Sequence, residues 1–194
     1  PSCCLCVCVH RRESGGAFHI TQGPRELTIS NGSRLEGNSA GSDGGAFFFM
    51  TRVRSVLITN NSIVAGNSAR QAGGAFCFSP YTSEDPNEGP GIIHNFIITS
   101  GSSVSHNVAD RGGAIYAGRV GSMIISDGSA LVSNAASEYG GAVAACTVDL
   151  LAIEANSTIS NNSAVEVGGA LAVDRLNDLV LLNSSLSNNT AQAS

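Results

Sequence analysis

Apolar positions along this chain come in short runs of Ile, Val, Leu and Phe, broken every few residues by Gly, Asn and Ser. Runs of that length, bounded by turn-forming residues, predict strands rather than helices. They recur in fixed columns. Gly-Gly-Ala begins at Gly15, Gly44, Gly73, Gly112, Gly140 and Gly168, at intervals of 29, 29, 39, 28 and 28 residues. Asn-x-Ala begins at Asn38, Asn67, Asn107, Asn134, Asn162 and Asn189, five or six residues before the next Gly-Gly-Ala. Nine residues before that Asn stand Ile29, Ile58, Ile98, Ile125, Ile153 and Val180; three before it stand Leu35, Val64, Val104, Leu131, Ile159 and Leu186. A third apolar column follows Gly-Gly-Ala: Phe18, Phe47, Phe76, Ile115, Val143 and Leu171. Between the apolar columns lie a Gly/Asn column (Gly32, Asn61, Gly101, Gly128, Asn156, Asn183) and a Ser column (Ser33, Ser62, Ser102, Ser129, Ser157, Ser184).

A repeat of 28–29 residues with about three strands and no helical period is neither a leucine-rich nor an ankyrin unit, and it is too short for a propeller blade. One coil of an all-β parallel solenoid fits, each strand pairing with its copy in the next coil about 4.8 Å away. Gly and Asn share a column because both accept the left-handed conformation of a sharp turn. Stacked Asn side chains can hydrogen-bond along the axis and to turn backbone. About six coils are expected over residues 15–194, with the long interval carrying a loop insertion at 79–91. Residues 1–14 read as an irregular Cys-rich segment or a degenerate coil. The chain opens on Pro1 and stops just short of a seventh Gly-Gly-Ala, so a truncated piece of a longer array is expected, with both ends as open sheet edges.

Composition narrows the function classes. Of 194 residues, 42% are hydrophobic and 13% charged, too apolar for a disordered chain. The basic residues are 10 Arg and no Lys, scattered, against 15 acids, for a net charge of −5. No basic stripe exists to neutralise phosphates, so nucleic acid is not an expected partner. No apolar run is long enough for a membrane-spanning helix. Cys3, Cys4, Cys6 and Cys8 crowd the start and Cys77 and Cys146 stand alone, unlike a disulfide framework.

Gly-Gly-Ala followed by an apolar residue, as in Gly44-Gly45-Ala46-Phe47, Gly112-Gly113-Ala114-Ile115 and Gly168-Gly169-Ala170-Leu171, alternates with an apolar-x-x-Asn element. The second element runs from Leu35 to Asn38, Val64 to Asn67, Leu131 to Asn134 and Ile159 to Asn162, with Leu, Val or Ile in place of Phe. This alternation over residues 15–191 resembles the repeats of the chlamydial polymorphic outer membrane proteins. The resemblance implies a right-handed parallel β-helix and a surface-exposed adhesive or passenger segment.

Polysaccharide hydrolases and lyases also use such folds, and they need clustered carboxylates, or a base beside a Ca²⁺ held by an Asp cluster. The nearest feature is a column two residues before Gly-Gly: Glu13, Ser42, Gln71, Asp110, Glu138 and Glu166. Asp110, Glu138 and Glu166 would stack as a solvated corner or, alternatively, a weak cation stripe. No catalytic residue and no cofactor is assigned. The insertion is the candidate contact element, with Tyr81, Glu84, Asp85 and Glu88 able to meet a sugar or a basic partner. His10, His19, His94 and His106 share no column, and the spacing of Cys3 to Cys8 matches no zinc knuckle. Sequons at Asn31, Asn60, Asn156, Asn161, Asn183 and Asn188 coincide with residues the turns themselves require.

These readings converge on a non-catalytic, extracellular or cell-surface segment of a larger protein, adhesive or a spacer. A glycan or cell-surface protein is the expected partner, and end-to-end self-association through the open edges is a further expectation. The alternative is a piece of a polysaccharide-acting β-helix whose catalytic residues lie elsewhere.

Overall fold

The computed structural model describes residues 14–22, 24–78 and 91–192. Their regular structure is entirely β, in three parallel sheets stacked as a solenoid of six coils. Every strand pairs with its own copy in the neighbouring coil. Arg34–Glu36, Ile63–Ala65, Ser103–Ser105, Ala130–Val132, Thr158–Ser160 and Ser185–Ser187 make the second sheet. The third runs through the short strands from Ser39–Ala40 to Thr190–Ala191. The first sheet is the longest. In three coils it is split, as Phe18–Ile20 with Glu26–Ile29, Phe47–Phe49 with Val53–Ile58, and Phe76–Phe78 with Ile92–Ile98. In the other three it is continuous, as Ile115–Ile125, Val143–Glu154 and Leu171–Leu182.

Stacking puts like on like, and alternation along each strand sends every second side chain inward. The column Phe18, Phe47, Phe76, Ile115, Val143, Leu171 is in register throughout. Its rings stack face to face, Phe18 on Phe47 at 4.7 Å and Phe47 on Phe76 at 5.7 Å between centroids. Phe96 meets Phe76 edge-on at 5.4 Å. Val56, Ile58, Ile93, Ile98, Ile125 and Ile153 are fully buried in the same core. Each such side chain contributes about 1.5–3 kcal/mol of burial. One column differs from the sequence reading. The register pairs Ile153 with Leu181, not Val180, because the last coil is one residue shorter at the following corner.

That corner is built from left-handed residues. Five coils use two in succession: Asn31–Gly32, Asn60–Asn61, Ser100–Gly101, Asp127–Gly128 and Ala155–Asn156; the last has Asn183 alone. A second corner places Gly37, Gly66, His106, Ser133, Asn161 and Asn188 in the same conformation, immediately before each ladder Asn. The Gly-Gly pairs make the third, and their two members have different reasons. Gly140 has φ +66°, whereas a Cβ on Gly141 would stand 2.0 Å from the carbonyl oxygen of Gly169 in the next coil. The first glycine turns the chain and the second lets the coils close.

Polar side chains at the corners satisfy one another along the axis. Asn38 Nδ2 donates to Asn67 Oδ1 (2.8 Å), and the same link continues from Asn67 to Asn107 (3.0 Å), Asn134 (2.9 Å), Asn162 (3.0 Å) and Asn189 (3.0 Å). Each Oδ1 also accepts the backbone N–H of the preceding ladder Asn. Each Nδ2 from Asn67 onward donates its second hydrogen to a carbonyl of the previous coil, as Asn134 does to Val104 O (3.2 Å). Such complete satisfaction is what allows Asn67, Asn107, Asn134 and Asn162 to be fully buried. The Ser column forms a second ladder, in which the N–H of Ser62, Ser102, Ser129 and Ser157 donates to the next serine's Oγ at 3.1–3.2 Å.

Candidate functional site

Two groups of residues singled out by sequence, the insertion with Tyr81, Glu84, Asp85 and Glu88 and the cysteines at 3, 4, 6 and 8, lie outside the described residues. The flanks of the insertion are placed. Phe76–Phe78 and Ile92–Ile98 both keep register with the adjacent coils, so the extra residues interrupt no ladder.

The three acidic candidates have separate surroundings. Ser137 Oγ donates to Asp110, Glu138 lies 3.8 Å from Arg111, and Glu166 is exposed. Among the described residues no group of three or more His, Cys, Asp or Glu side chains is gathered for a metal ion. His19 Nδ1 lies 3.1 Å from Ser14 O and its ring packs beside Phe48, while His106 occupies a left-handed corner. Cys77 faces Tyr116 and Tyr116 faces Ala144 across the sheet, so Cys146 lies two coils from Cys77, beyond disulfide reach.

The residues that do converge come from two columns without a sequence motif. Residues one step beyond the inward Phe/Ile/Val column point to the outside of the first sheet: His19, Phe48, Cys77, Tyr116, Ala144 and Ala172. Phe48, Cys77, Tyr116 and Ala144 are buried there as a second apolar cluster. Side-chain size falls abruptly between Tyr116 and Ala144, leaving a hollow over the last two coils. Its wall is the column immediately before Gly-Gly, where Arg111, Tyr139 and Val167 follow one another across the third corner.

The hollow measures about 370 Å³ and is lined by Arg111, Tyr116, Tyr139, Cys146, Val167 and Asp174 around a floor that includes Ala144 and Ala172. The Arg111 guanidinium sits 5.8 Å from the Tyr116 ring centre, a cation–π contact, and its Nε lies 3.8 Å from a Glu138 carboxylate oxygen. Tyr116 is 8% exposed, Tyr139 and Cys146 are half-buried, and Asp174 is exposed at the far rim. The arrangement sets rings and methyl groups beneath a donor at one end and a carboxylate at the other. A second hollow, of about 510 Å³, opens at the end of the tube among Leu151, Leu171, Leu176, Leu179 and Leu186. It is the core itself, seen where the coils stop.

No helix among the described residues is long and apolar enough to cross a membrane. No family model, no curated protein and no solved structure matches this chain.

Proposed function

We propose that the chain is a non-catalytic, adhesive spacer: a stiff β-solenoid segment of a larger extracellular or cell-surface protein. The observation that carries this reading is the coil-on-coil strand pairing of six coils in three parallel sheets, locked at their corners by buried Asn and Ser ladders. Such an array resists bending because each coil is hydrogen-bonded to its neighbours on three sides. The insertion and the lined hollow both hang on this frame without disturbing it, which is how binding elements are carried by rigid scaffolds. The repeat's resemblance to the chlamydial polymorphic outer membrane proteins supports the same placement at a cell surface. A glycan or a surface protein is the partner class.

Two measurements test it. Antibodies against the described coils should stain unpermeabilised source cells. Beads coated with the 194-residue polypeptide should adhere to host or neighbour cells. Staining only after permeabilisation, together with bead adhesion no better than albumin, would overturn the reading. Depolymerisation of a polysaccharide by the intact parent protein would replace it with the enzyme alternative.

A further inference from the structure

We infer that the hollow beside Tyr116 is a saccharide site for a neutral hexose-type ring, an inference that rests on the adhesive reading above. Its volume of about 370 Å³ falls at the lower end of small-molecule sites, which suits a mono- or disaccharide. The chemistry is mixed in a particular order. Tyr139 and the exposed margin of Tyr116 supply ring surface, Ala144 and Ala172 leave the space, Arg111 brings N–H donors to one end and Asp174 brings acceptor oxygens to the other.

Other ligand classes fit this set less well. A cation entering the hollow meets Arg111, already seated against the Tyr116 ring. An anion meets Asp174, with Glu138 near Arg111, on a protein of net charge −5. A wholly apolar ligand would strip water from Arg111 and Asp174 and return no hydrogen bond. A neutral polyol uses both ends, since each hydroxyl both donates and accepts, while its C–H face rests on rings and methyl groups. Tyr116, Ala144 and Ala172 sit on strands held in register, and Arg111 and Tyr139 pair with each other beside the corners at Gly112 and Gly140, so little ordering is needed on binding. Affinity for a single ring in an open hollow should be millimolar.

The chain has three tyrosines and no tryptophan, which makes the site self-reporting. In a Tyr81→Phe background, tyrosine emission comes from Tyr116 and Tyr139 alone. This polypeptide is titrated with the methyl glycosides of glucose, galactose, mannose and N-acetylglucosamine, and with lactose and cellobiose, while saturation-transfer NMR follows the sugar. The expected result is a saturable emission change with at least one neutral sugar. Asp174→Asn and Tyr139→Ala should each weaken it about tenfold or more, with circular dichroism and melting unchanged. Binding unaffected by both substitutions, no neutral sugar bound at all, or tetramethylammonium or a sulfated sugar bound in their place would each overturn the inference. Cell adhesion by coated beads that no neutral sugar competes would sink the saccharide site and leave the adhesive reading standing. Sugar binding at the hollow, with beads that fail to adhere and staining confined to permeabilised cells, would sink the adhesive reading instead.

Discussion

At the scale of the residue, the ladder asparagines bear the largest polar obligation in the molecule. Replacing Asn134 by Ala would strip the acceptor from both the N–H and the Nδ2 of Asn107, and the donor from Val104 O. Buried groups left unmatched cost about 1–3 kcal/mol each, so N134A should lose about 3 kcal/mol or more in urea unfolding. N189A, at the half-buried last rung, should lose about 1 kcal/mol because water reaches the orphaned Asn162 groups. Equal losses at the two sites would show that the ladder is not what holds the corner. The asparagines themselves were legible, since one residue type at a fixed offset is a strong signal. So was the Gly/Asn turn column, for which only a few residues suit a positive φ. Other left-handed positions at the first and second corners were not. Ser100, Ala155, His106 and Ser133 are also left-handed, with φ of 52° to 55°, and none carries a turn signature. Their conformation is imposed by the coils above and below, a long-range cause that local composition does not record.

At the scale of the element, the first sheet shows how much length variation a coil tolerates. Phe49 and Val53 are joined by three residues, whereas their register partners Phe78 and Ile93 flank the long insertion, yet both pairs of strands hold register with their neighbours. Replacing residues 79–92 by a short Met-Thr-Arg bridge copied from positions 50–52 should therefore leave the melting temperature within a few degrees of the parent, since loop-closure entropy changes slowly with length. A collapse of the cooperative melt would mean that the insertion is part of the fold. The position of this insertion could be read from the one long interval between Gly-Gly-Ala motifs. The hollow beside Tyr116 could not. It depends on Tyr116, Ala144 and Ala172 falling in one outward column, and on Arg111, Tyr139 and Val167 walling it from another. Neither column keeps one residue type along its length, so only the register reveals them. The same dependence on register explains the misplacement of Val180, because a single-residue shortening near Asn183 shifts that column while leaving the Asn-x-Ala marker in place.

At the scale of the described array, the coil at its C-terminal end carries the broadest run of exposed apolar residues. Leu176, Leu179, Val180, Leu181, Leu182 and Leu186 are all at least two-fifths exposed there, and Leu182 reaches 62%. An apolar face framed by strand edges invites pairing with another chain. The 194-residue polypeptide is expected to associate as its concentration rises in analytical ultracentrifugation, and Leu179→Glu with Leu181→Glu should return it to a monomer. A monomer at every concentration without those substitutions would refute association through this end. The Asn ladder adds a direction to the rod. Among the described residues its first rung, Asn38, ends on an accepting oxygen, and its last, Asn189, on a donating N–H. Every joint between coils is therefore chemically the same hook and eye. A gene that duplicates or drops one 28-residue unit in frame meets an identical joint on either side. Length along the axis thus becomes a quantity that inheritance can adjust in whole steps, with the Asn joint kept unchanged.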